Sequence, residues 1–154
     1  MKTDFDRAMV YSLGIAVLLL CSCDFNPVRQ FRPGIDFYEG NNATQDLVCH
    51  LDIPPARPNG TPFDFTANSG CTNDEVRSLV LNDIDGGVKI SLYDNSQCST
   101  SDAATRIRVL NAVVGRKVVG TFESEVIDND IHVELLRRGN LDGKVSCVII
   151  DSSP

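Results

Sequence analysis

The chain has 154 residues, with 14 lysines and arginines against 21 aspartates and glutamates, so its formal net charge at pH 7 is −7. This length is enough for one domain with its own hydrophobic core. The acidity argues against a protein that binds nucleic acid or an anionic membrane surface through clustered Lys and Arg side chains. Aromatic residues make up 6% of the chain, Trp is absent and there are two His. These counts exclude a His-rich metal site and argue against an aromatic platform for bases or sugars.

The N-terminal segment is typical of an export signal. Lys2 and Arg7 precede the 13 uncharged residues Ala8–Leu20, a run shorter than the roughly 20 residues needed to span a bilayer. The following Leu20-Cys21-Ser22-Cys23 resembles the lipobox of bacterial lipoproteins, in which the last Cys is acylated. We predict a lipoprotein signal peptide over residues 1–22 and lipidation of Cys23. An ordinary signal peptide cut nearby is the alternative.

The predicted anchor sets the expected location of the protein. Acyl chains on Cys23 would attach it to the lipid bilayer of a bacterial cell envelope, facing the periplasm or the exterior. Residues 23–34 contain two Pro and a Gly and are typical of a tether.

Four cysteines follow the leader: Cys49, Cys71, Cys98 and Cys147. An even number in an exported chain indicates two disulfides, for which three connectivities are possible. No Cys-x-x-Cys spacing supports a zinc ribbon or a redox pair. We expect Cys49–Cys71, which would close the Pro-rich excursion around 54–62, and Cys98–Cys147, which would tie a hairpin to the last strand.

The rest of the chain alternates between short, β-branched segments and turn clusters, with no convincing helix. Eight strands are predicted by alternating hydrophobicity; they cover 35–38, 47–51, 76–81, 88–93, 106–110, 118–123, 131–136 and 145–150. This spacing predicts an antiparallel sandwich or barrel. The loop 54–62 is expected to leave the sheet, because Pro cannot donate to a strand ladder.

The two halves of this region repeat each other. Residues 35–41 (Ile-Asp-Phe-Tyr-Glu-Gly-Asn) match 90–96 (Ile-Ser-Leu-Tyr-Asp-Asn-Ser), and residues 73–79 match 142–148. Each half therefore opens with a strand that ends in Tyr and an acid, and closes with a strand entered through a polar turn.

This arrangement resembles the βγ-crystallin domain, in which two Greek-key motifs form an eight-stranded β-sandwich. A family motif opens with a strand such as Val-Thr-Leu-Tyr-Glu and closes with Asn/Asp, Asn/Asp, two variable residues, Ser/Thr and Ser. The resemblance covers residues 35–151, with motif 1 over about 35–82 and motif 2 over about 88–151. It implies an all-β Greek-key fold. The chain departs from the pattern after Tyr38, where Ala43 and Gln45 stand in place of an aromatic residue and a Gly.

The resemblance also implies calcium sites, each clamped between the closing segment of one motif and the post-Tyr acid of the other. Calcium prefers oxygen ligands of several kinds. By position, one site would combine two carboxylates, a backbone carbonyl and a hydroxyl, from Glu39, Asp142, Lys144 and Ser146. Weak binding is expected there, since Gly143 has lost a polar side chain. Simple turn capping by Asp142 and Ser146 is the alternative.

The second implied site would use Asn73, the carbonyl of Glu75 and Asp94. Arg77 occupies the position of the Ser/Thr hydroxyl in that half, and a guanidinium brings positive charge and no acceptor. We expect this site to be disabled. Calcium is thus the one cofactor anticipated.

No nucleophile elbow or phosphate-binding Gly loop occurs, and nothing singles out a nucleophile for His50. The acidic row around His132, from Asp128 to Glu134, reads as the solvated side of a strand rather than as a metal site. We expect a non-enzymatic, envelope-anchored protein with a structural or interaction role tuned by weak calcium binding, and a protein or envelope component as its unidentified partner. The alternatives are a protease inhibitor acting through exposed loops such as 54–62, and an envelope-binding module.

Overall fold

The computed structural model describes residues 32–67 and 69–153. The predicted signal peptide, Cys23 and residues 23–31 of the tether lie outside the described residues. The described chain contains one 3-10 turn, Asn41–Ala43, and ten strands: β1 (Gly34–Gly40), β2 (Thr44–Leu51), β3 (Thr61–Asp64), β4 (Ser78–Ile84), β5 (Lys89–Tyr93), β6 (Ala104–Val109), β7 (Val113–Val119), β8 (Val126–Ile127), β9 (Ile131–Arg137) and β10 (Cys147–Asp151). Within these residues, no helix has the length and apolarity required to cross a membrane.

The strands form two antiparallel sheets. One has the order β2-β1-β4-β7, and the other has the order β3-β10-β5-β6-β9-β8. Strand β3 of the first half pairs with β10 of the second, and β7 of the second half pairs with β4 of the first. Each half is therefore a Greek key that gives its third strand to the sheet of the other half. The predicted all-β, Greek-key sandwich is confirmed.

The hydrophobic core lies between the two sheets. Ile35 and Phe37 of β1 are fully buried, while Asp36 between them is half-buried, as expected for a strand with one face against the core. The rings of Phe37 and Phe65 pack edge to face with centroids 5.8 Å apart. The other large, fully buried side chains come from both sheets and include Leu79, Leu81, Ile84, Ile90, Leu92, Ile107, Phe122, Leu141 and Ile150.

The number of strands is ten rather than the predicted eight. Strand β3 contains Pro62, which the sequence placed in a loop outside the sheet. It lies at a sheet edge and pairs only with β10, so its missing N–H removes no bond from the interior of the sheet. Strand β8 has two residues, too few to show any periodicity.

Two predicted strands are shifted along the chain. Strand β7 ends at Val119 rather than continuing to 123, because Thr121 and Phe122 form a turn that Asp142 caps. Strand β4 begins at Ser78 rather than at Val76.

Both expected disulfides are present. Cys49–Cys71 has its Cα atoms 5.0 Å apart, and Cys98–Cys147 has them 5.3 Å apart. The first fastens the excursion between β2 and β4 to β2. The second fastens the β5–β6 loop to β10, so each half of the repeat carries one covalent link.

Candidate calcium-binding site

The closing segment of each half runs beside the Tyr of the same half. The Arg77 amide donates to the Tyr38 carbonyl at 2.9 Å, and the Ser146 amide donates to the Tyr93 carbonyl at 2.9 Å. These two hydrogen bonds are equivalent under the repeat, as are the pairings of β1 with β4 and of β5 with β10. The acid that follows each Tyr therefore meets the closing segment of its own half.

Glu39 lies with the closing segment of its own half. It lines a polar depression of about 390 Å³ together with Asp74, Glu75 and Arg77 of its own half. The physical reason lies in the topology. The halves exchange their third strands, whereas the first and last strands of one half remain neighbours.

Four oxygen-bearing residues meet at the corresponding place in the second half. The Ser146 hydroxyl is buried and lies 3.4 Å from the Asp74 carboxylate and 3.5 Å from the Lys144 carbonyl oxygen. Asp94 is close enough for the charges of Asp74 and Lys144 to act on it. We call Asp74, Asp94, the Lys144 carbonyl and the Ser146 hydroxyl the Ser146 clamp. A hydroxyl, a carbonyl and two carboxylates are the mixed oxygen ligands that calcium accepts.

The electrostatics of the Ser146 clamp favour a cation. Burial raises the pKa of the Asp94 carboxyl, and the neighbouring Asp102 and Asp74 carboxylates raise it further, while the Lys144 ammonium acts in the opposite direction. Carboxylates that repel one another in a partly desolvated place gain from a bound divalent ion. The residues present therefore fit calcium, with Lys144 limiting the affinity.

The equivalent place in the first half does not fit calcium. A Cβ atom on Gly143 would lie 2.9 Å from Nη2 of Arg77, so the guanidinium lies directly against this glycine. Gly143 and Asp74 are equivalent in the repeat, and both have left-handed backbone, with φ of 75° and 60°. Arg in place of the Ser hydroxyl and Gly in place of the Asp carboxylate remove two ligands and supply a fixed positive charge.

Asp142 is engaged in capping the turn after β7. Its carboxylate accepts hydrogen bonds from the Phe122 amide at 3.0 Å, the Thr121 hydroxyl at 2.8 Å and the Asn41 side-chain amide at 3.1 Å. A cation would have to displace these donors. The equivalent Asn73 is half-buried, and its Oδ1 has no hydrogen-bond partner. Hydrogen bonds of the Ser146 clamp involve neither residue.

Sequence reasoning missed two residues of the closing segments, Asp74 and Ser78. Asp74 could have been found from the sequence, because it fills the second Asn/Asp position of the closing signature. The Ser78 hydroxyl donates to the Gly40 carbonyl at 2.6 Å and accepts from the Ala43 amide at 2.9 Å. It holds the turn between β1 and β2, as the Cys98–Cys147 bond holds the β5–β6 loop.

The acidic row near His132 is occupied by ion pairs. Lys117 contacts Asp128 at 2.7 Å and Asp130 at 3.0 Å, and Glu134 pairs with Arg108 at 2.8 Å. Among residues 32–67 and 69–153, no group of three or more His, Cys, Asp or Glu side chains could hold a metal ion. The Ser146 clamp is not such a group, because it combines its two carboxylates with a hydroxyl and a backbone carbonyl.

Comparison with known proteins gives matches only among solved structures. No family model and no curated protein matches the chain. A double mutant of a βγ-crystallin domain from Clostridium beijerinckii matches with a TM-score of 0.42 and 16% identity, over 79% of this chain and 100% of that one. A clostrillin double mutant in complex with nickel gives 0.38 and 17%, over 79% and 100%.

A further βγ-crystallin domain structure from Clostridium beijerinckii gives a TM-score of 0.38 and 15% identity, over 78% of this chain and 99% of that one. The fold assignment itself depends on the strand order and on the exchange of β3 and β7. By that topology the protein is a Greek-key β-sandwich similar to βγ-crystallin domains.

Proposed function

We propose that the protein is a non-catalytic domain, anchored in a bacterial cell envelope, that binds a single calcium ion weakly. The observation that supports calcium binding is the difference between the two equivalent places in the repeat. One brings the Ser146 hydroxyl beside the Asp74 carboxylate, and the other holds the Arg77 guanidinium against Gly143. The Ser146 clamp offers oxygen atoms to a cation, whereas the equivalent position in the first half already carries the positive charge of Arg77.

The composition of the Ser146 clamp suggests low affinity. Two carboxylates and two neutral oxygens, opposed by the Lys144 ammonium, resemble the ligand sets of extracellular modules, with Kd on the order of 10⁻⁴–10⁻³ M. Asp74 comes from the first half of the repeat and the other members come from the second. A bound ion would therefore link the two halves, which is a structural role.

Calorimetric titration of the full chain in a non-ionic detergent tests this proposal. Wild type should bind one calcium ion, and Ser146→Ala should abolish binding because it removes the central hydroxyl. Arg77→Ser combined with Gly143→Asp should create a second site, since Asp74 shows that Asp tolerates this backbone conformation. Arg138→Asp, at an exposed position after β9, makes the same net-charge change of two units as the double variant and is its control. Two tight sites in wild type, or unchanged binding in Ser146→Ala, would refute the assignment.

Anchoring is supported by the lipobox-like Leu20-Cys21-Ser22-Cys23 and by the uncharged run before it. The two disulfides of the described domain agree with an oxidising compartment outside the cytosol.

The absence of catalysis is supported by the surroundings of His50. Its Nδ1 lies 2.6 Å from the Asp36 carboxylate and its Nε2 lies 3.3 Å from the Asp52 carboxylate. Asp36 also accepts from the Asn82 side-chain amide at 2.8 Å. Both ring nitrogens face carboxylates, so this imidazole is not poised to deprotonate a Ser or Cys nucleophile.

A second candidate function, protease inhibition, is favoured by the loop before β3. Its exposed residues are held at the base, where the Ser152 hydroxyl donates to the Pro54 carbonyl at 2.7 Å and the Gly60 amide donates to the Arg57 carbonyl at 3.0 Å. An exposed loop that is ordered before binding loses less entropy on association. Inhibition of a protease panel that Arg57→Ala abolishes would support this role, and no inhibition would exclude it.

A further inference from the structure

The outer face of the six-stranded sheet carries an unexpected group of cations. Neighbouring strands β5 and β6 turn Ile90, Leu92 and Ile107 into the core. The intervening positions of these strands therefore face outward. They include Lys89, Ser91, Arg106 and Arg108.

Two of these cations stand directly opposite each other. Lys89 pairs with Arg108 in the register of β5 and β6, and Arg106 lies two residues from Arg108. Like charges on opposed positions of antiparallel strands destabilise a sheet. This arrangement occurs in a chain whose net charge is −7, so an average surface composition does not account for it. The Asp151 and Glu134 carboxylates offset part of this repulsion, and a bound anion would offset more of it.

Two of these cations already have carboxylate partners, Asp151 and Glu134. Lys89 contacts Asp151 at 3.3 Å, and Arg108 contacts Glu134 at 2.8 Å. The pKa of Asp151 is lowered first by hydrogen bonds from Ser153, with Lys89 a smaller cause, so this carboxylate is held mainly by its own end of the chain. The Nε of Arg108 is buried and has no hydrogen-bond partner.

Arg106 is the central cation and has no ion pair with the described Asp and Glu residues. Its Nε donates to the Ser91 hydroxyl at 3.1 Å, which orients the guanidinium. The cross-strand partner of Arg106 in β9 is Glu134, but that carboxylate is taken by Arg108. The terminal Nη groups of Arg106 are thus available to a ligand.

One groove of about 480 Å³ is lined by Lys89, Ser91, Arg106 and Arg108, together with Asn59, Tyr93, Ile149 and Asp151. We propose that this groove binds a phosphate group, with the Arg106 fork as its central donor and Lys89 and Arg108 on either side. The Arg106 guanidinium, which has no carboxylate partner among the described residues, can bond two phosphate oxygens. Lys89 and Arg108 are each paired with one carboxylate and would donate to the phosphate with their remaining N–H groups. The phosphate could be free or esterified to a sugar, since both present the same oxygens.

NMR titration of the isotope-labelled full chain in a non-ionic detergent tests the proposal. Sodium phosphate is added at constant ionic strength against sodium chloride. Wild type should show saturable shifts confined to amides of β5, β6 and β10, with a millimolar or tighter Kd. Loss of a charge-assisted fork in Arg106→Gln should weaken binding at least about tenfold. Non-saturable shifts, or shifts spread over the surface, would overturn the proposal.

Two further variants keep the result interpretable. Arg138→Gln makes the same change of charge at an exposed position and should leave the Kd for phosphate within about twofold of wild type. An equal loss of affinity in Arg138→Gln and Arg106→Gln would show that only the net charge of the protein matters, and would overturn the proposal. Arg106→Lys keeps the positive charge but lacks the guanidinium fork, so its affinity for phosphate should lie between those of wild type and Arg106→Gln. An unchanged thermal midpoint in these variants would show that the sheet is intact.

A parallel titration with glucose 1-phosphate, with glucose as its control, distinguishes the two sources of phosphate. Tighter binding of the ester than of inorganic phosphate assigns the groove to a phosphorylated glycan. Equal or weaker binding of the ester assigns it to free phosphate. Binding of neither compound would overturn the proposal.

Discussion

Replacing Asp74 with Asn should remove most of the effect of calcium on stability. The free energy added by an ion that binds only the native state is about 1.4 kcal/mol at 10 mM calcium if the Kd is about 1 mM. Unfolding entropy near 2.1 cal/mol/K per residue gives about 0.25 kcal/mol/K for roughly 120 ordered residues. Calcium should therefore raise the midpoint of wild type by about 5–6 °C.

Asp74 supplies one of the two carboxylates of the Ser146 clamp. We expect Asp74→Asn to raise the Kd about tenfold, in line with the dependence of calcium affinity on ligand charge. At the same calcium concentration the added free energy then falls to about 0.4 kcal/mol, or about 2 °C. Differential scanning calorimetry with 10 mM calcium and with chelator measures both values.

Asp142→Asn provides the matched control, because it makes the same chemical change at the residue that the sequence had assigned to this site. Loss of charge-assisted bonds from Phe122 and Thr121 should cost about 1–2 kcal/mol without calcium. The increment on adding calcium should stay at about 5–6 °C. The reverse pattern, with calcium dependence lost in Asp142→Asn and kept in Asp74→Asn, would refute the reasoning.

The raised pKa of Asp94 adds a pH dependence to the same measurement. A carboxyl whose pKa is raised in the folded state binds its proton more readily there than in the unfolded chain, so its ionisation lowers stability as the pH rises. Without calcium, Asp94→Asn should therefore raise the midpoint at neutral pH, and this gain should vanish as the pH falls through the raised pKa. The calcium increment of wild type should decline over the same range, since protonation removes a ligand.

Three further predictions concern the pairs and the anchor outside the clamp. Lys117→Met should lower the free energy of unfolding, measured in urea at pH 7, by less than about 1 kcal/mol. Because Lys117 lowers the pKa of the Asp128 carboxyl below 3.8, this difference from wild type should disappear in acid, where Asp128 is protonated. A difference that persists in acid would contradict the ion-pair explanation. The double variant Cys98→Ser with Cys147→Ser opens a link of sequence separation 49 and should lose about 4 kcal/mol in the chain-entropy model, whereas an unchanged denaturation midpoint would show that the bond adds nothing. Mass spectrometry of membrane-extracted protein should find an acylated N-terminal Cys23, and an unmodified N-terminus at another residue would exclude the lipoprotein assignment.

The strands could be predicted because their signal is local. Alternation in β1, β5 and β9 reflects side chains that point to opposite faces, a period that neighbouring residues reveal without knowledge of the fold. The repeated Tyr-acid openings and polar closing segments likewise indicated two equivalent halves, and the two disulfide pairs followed from which segments each would close. Strand β3 was not predicted, because Pro62 is compatible with a strand only at the edge of a sheet, and the position of a strand within a sheet is a tertiary property.

The candidate sites depended on contacts between distant parts of the chain. Sequence spacing identified Ser146, Arg77 and the post-Tyr acids, but not which acid would meet which closing segment. The pairing of β5 with β10 decided that Asp94 lies with Ser146, and the packing of one half on the other brought Asp74 to the same place. The Asp142 carboxylate caps the turn after β7, a contact that its sequence position does not reveal.

By itself, the sequence predicted the fold class and the two equivalent halves from local periodicity, and the disulfide partners from the segments that each link would close. It also singled out Arg77 as a side chain that offers calcium no ligand. Only the tertiary structure decided the composition of the Ser146 clamp and the cationic groove around Arg106. Lys89 and Arg108 are far apart in the sequence and become neighbours through the β5–β6 register. Register and packing are collective properties of the folded chain, so no local pattern could have placed these groups together.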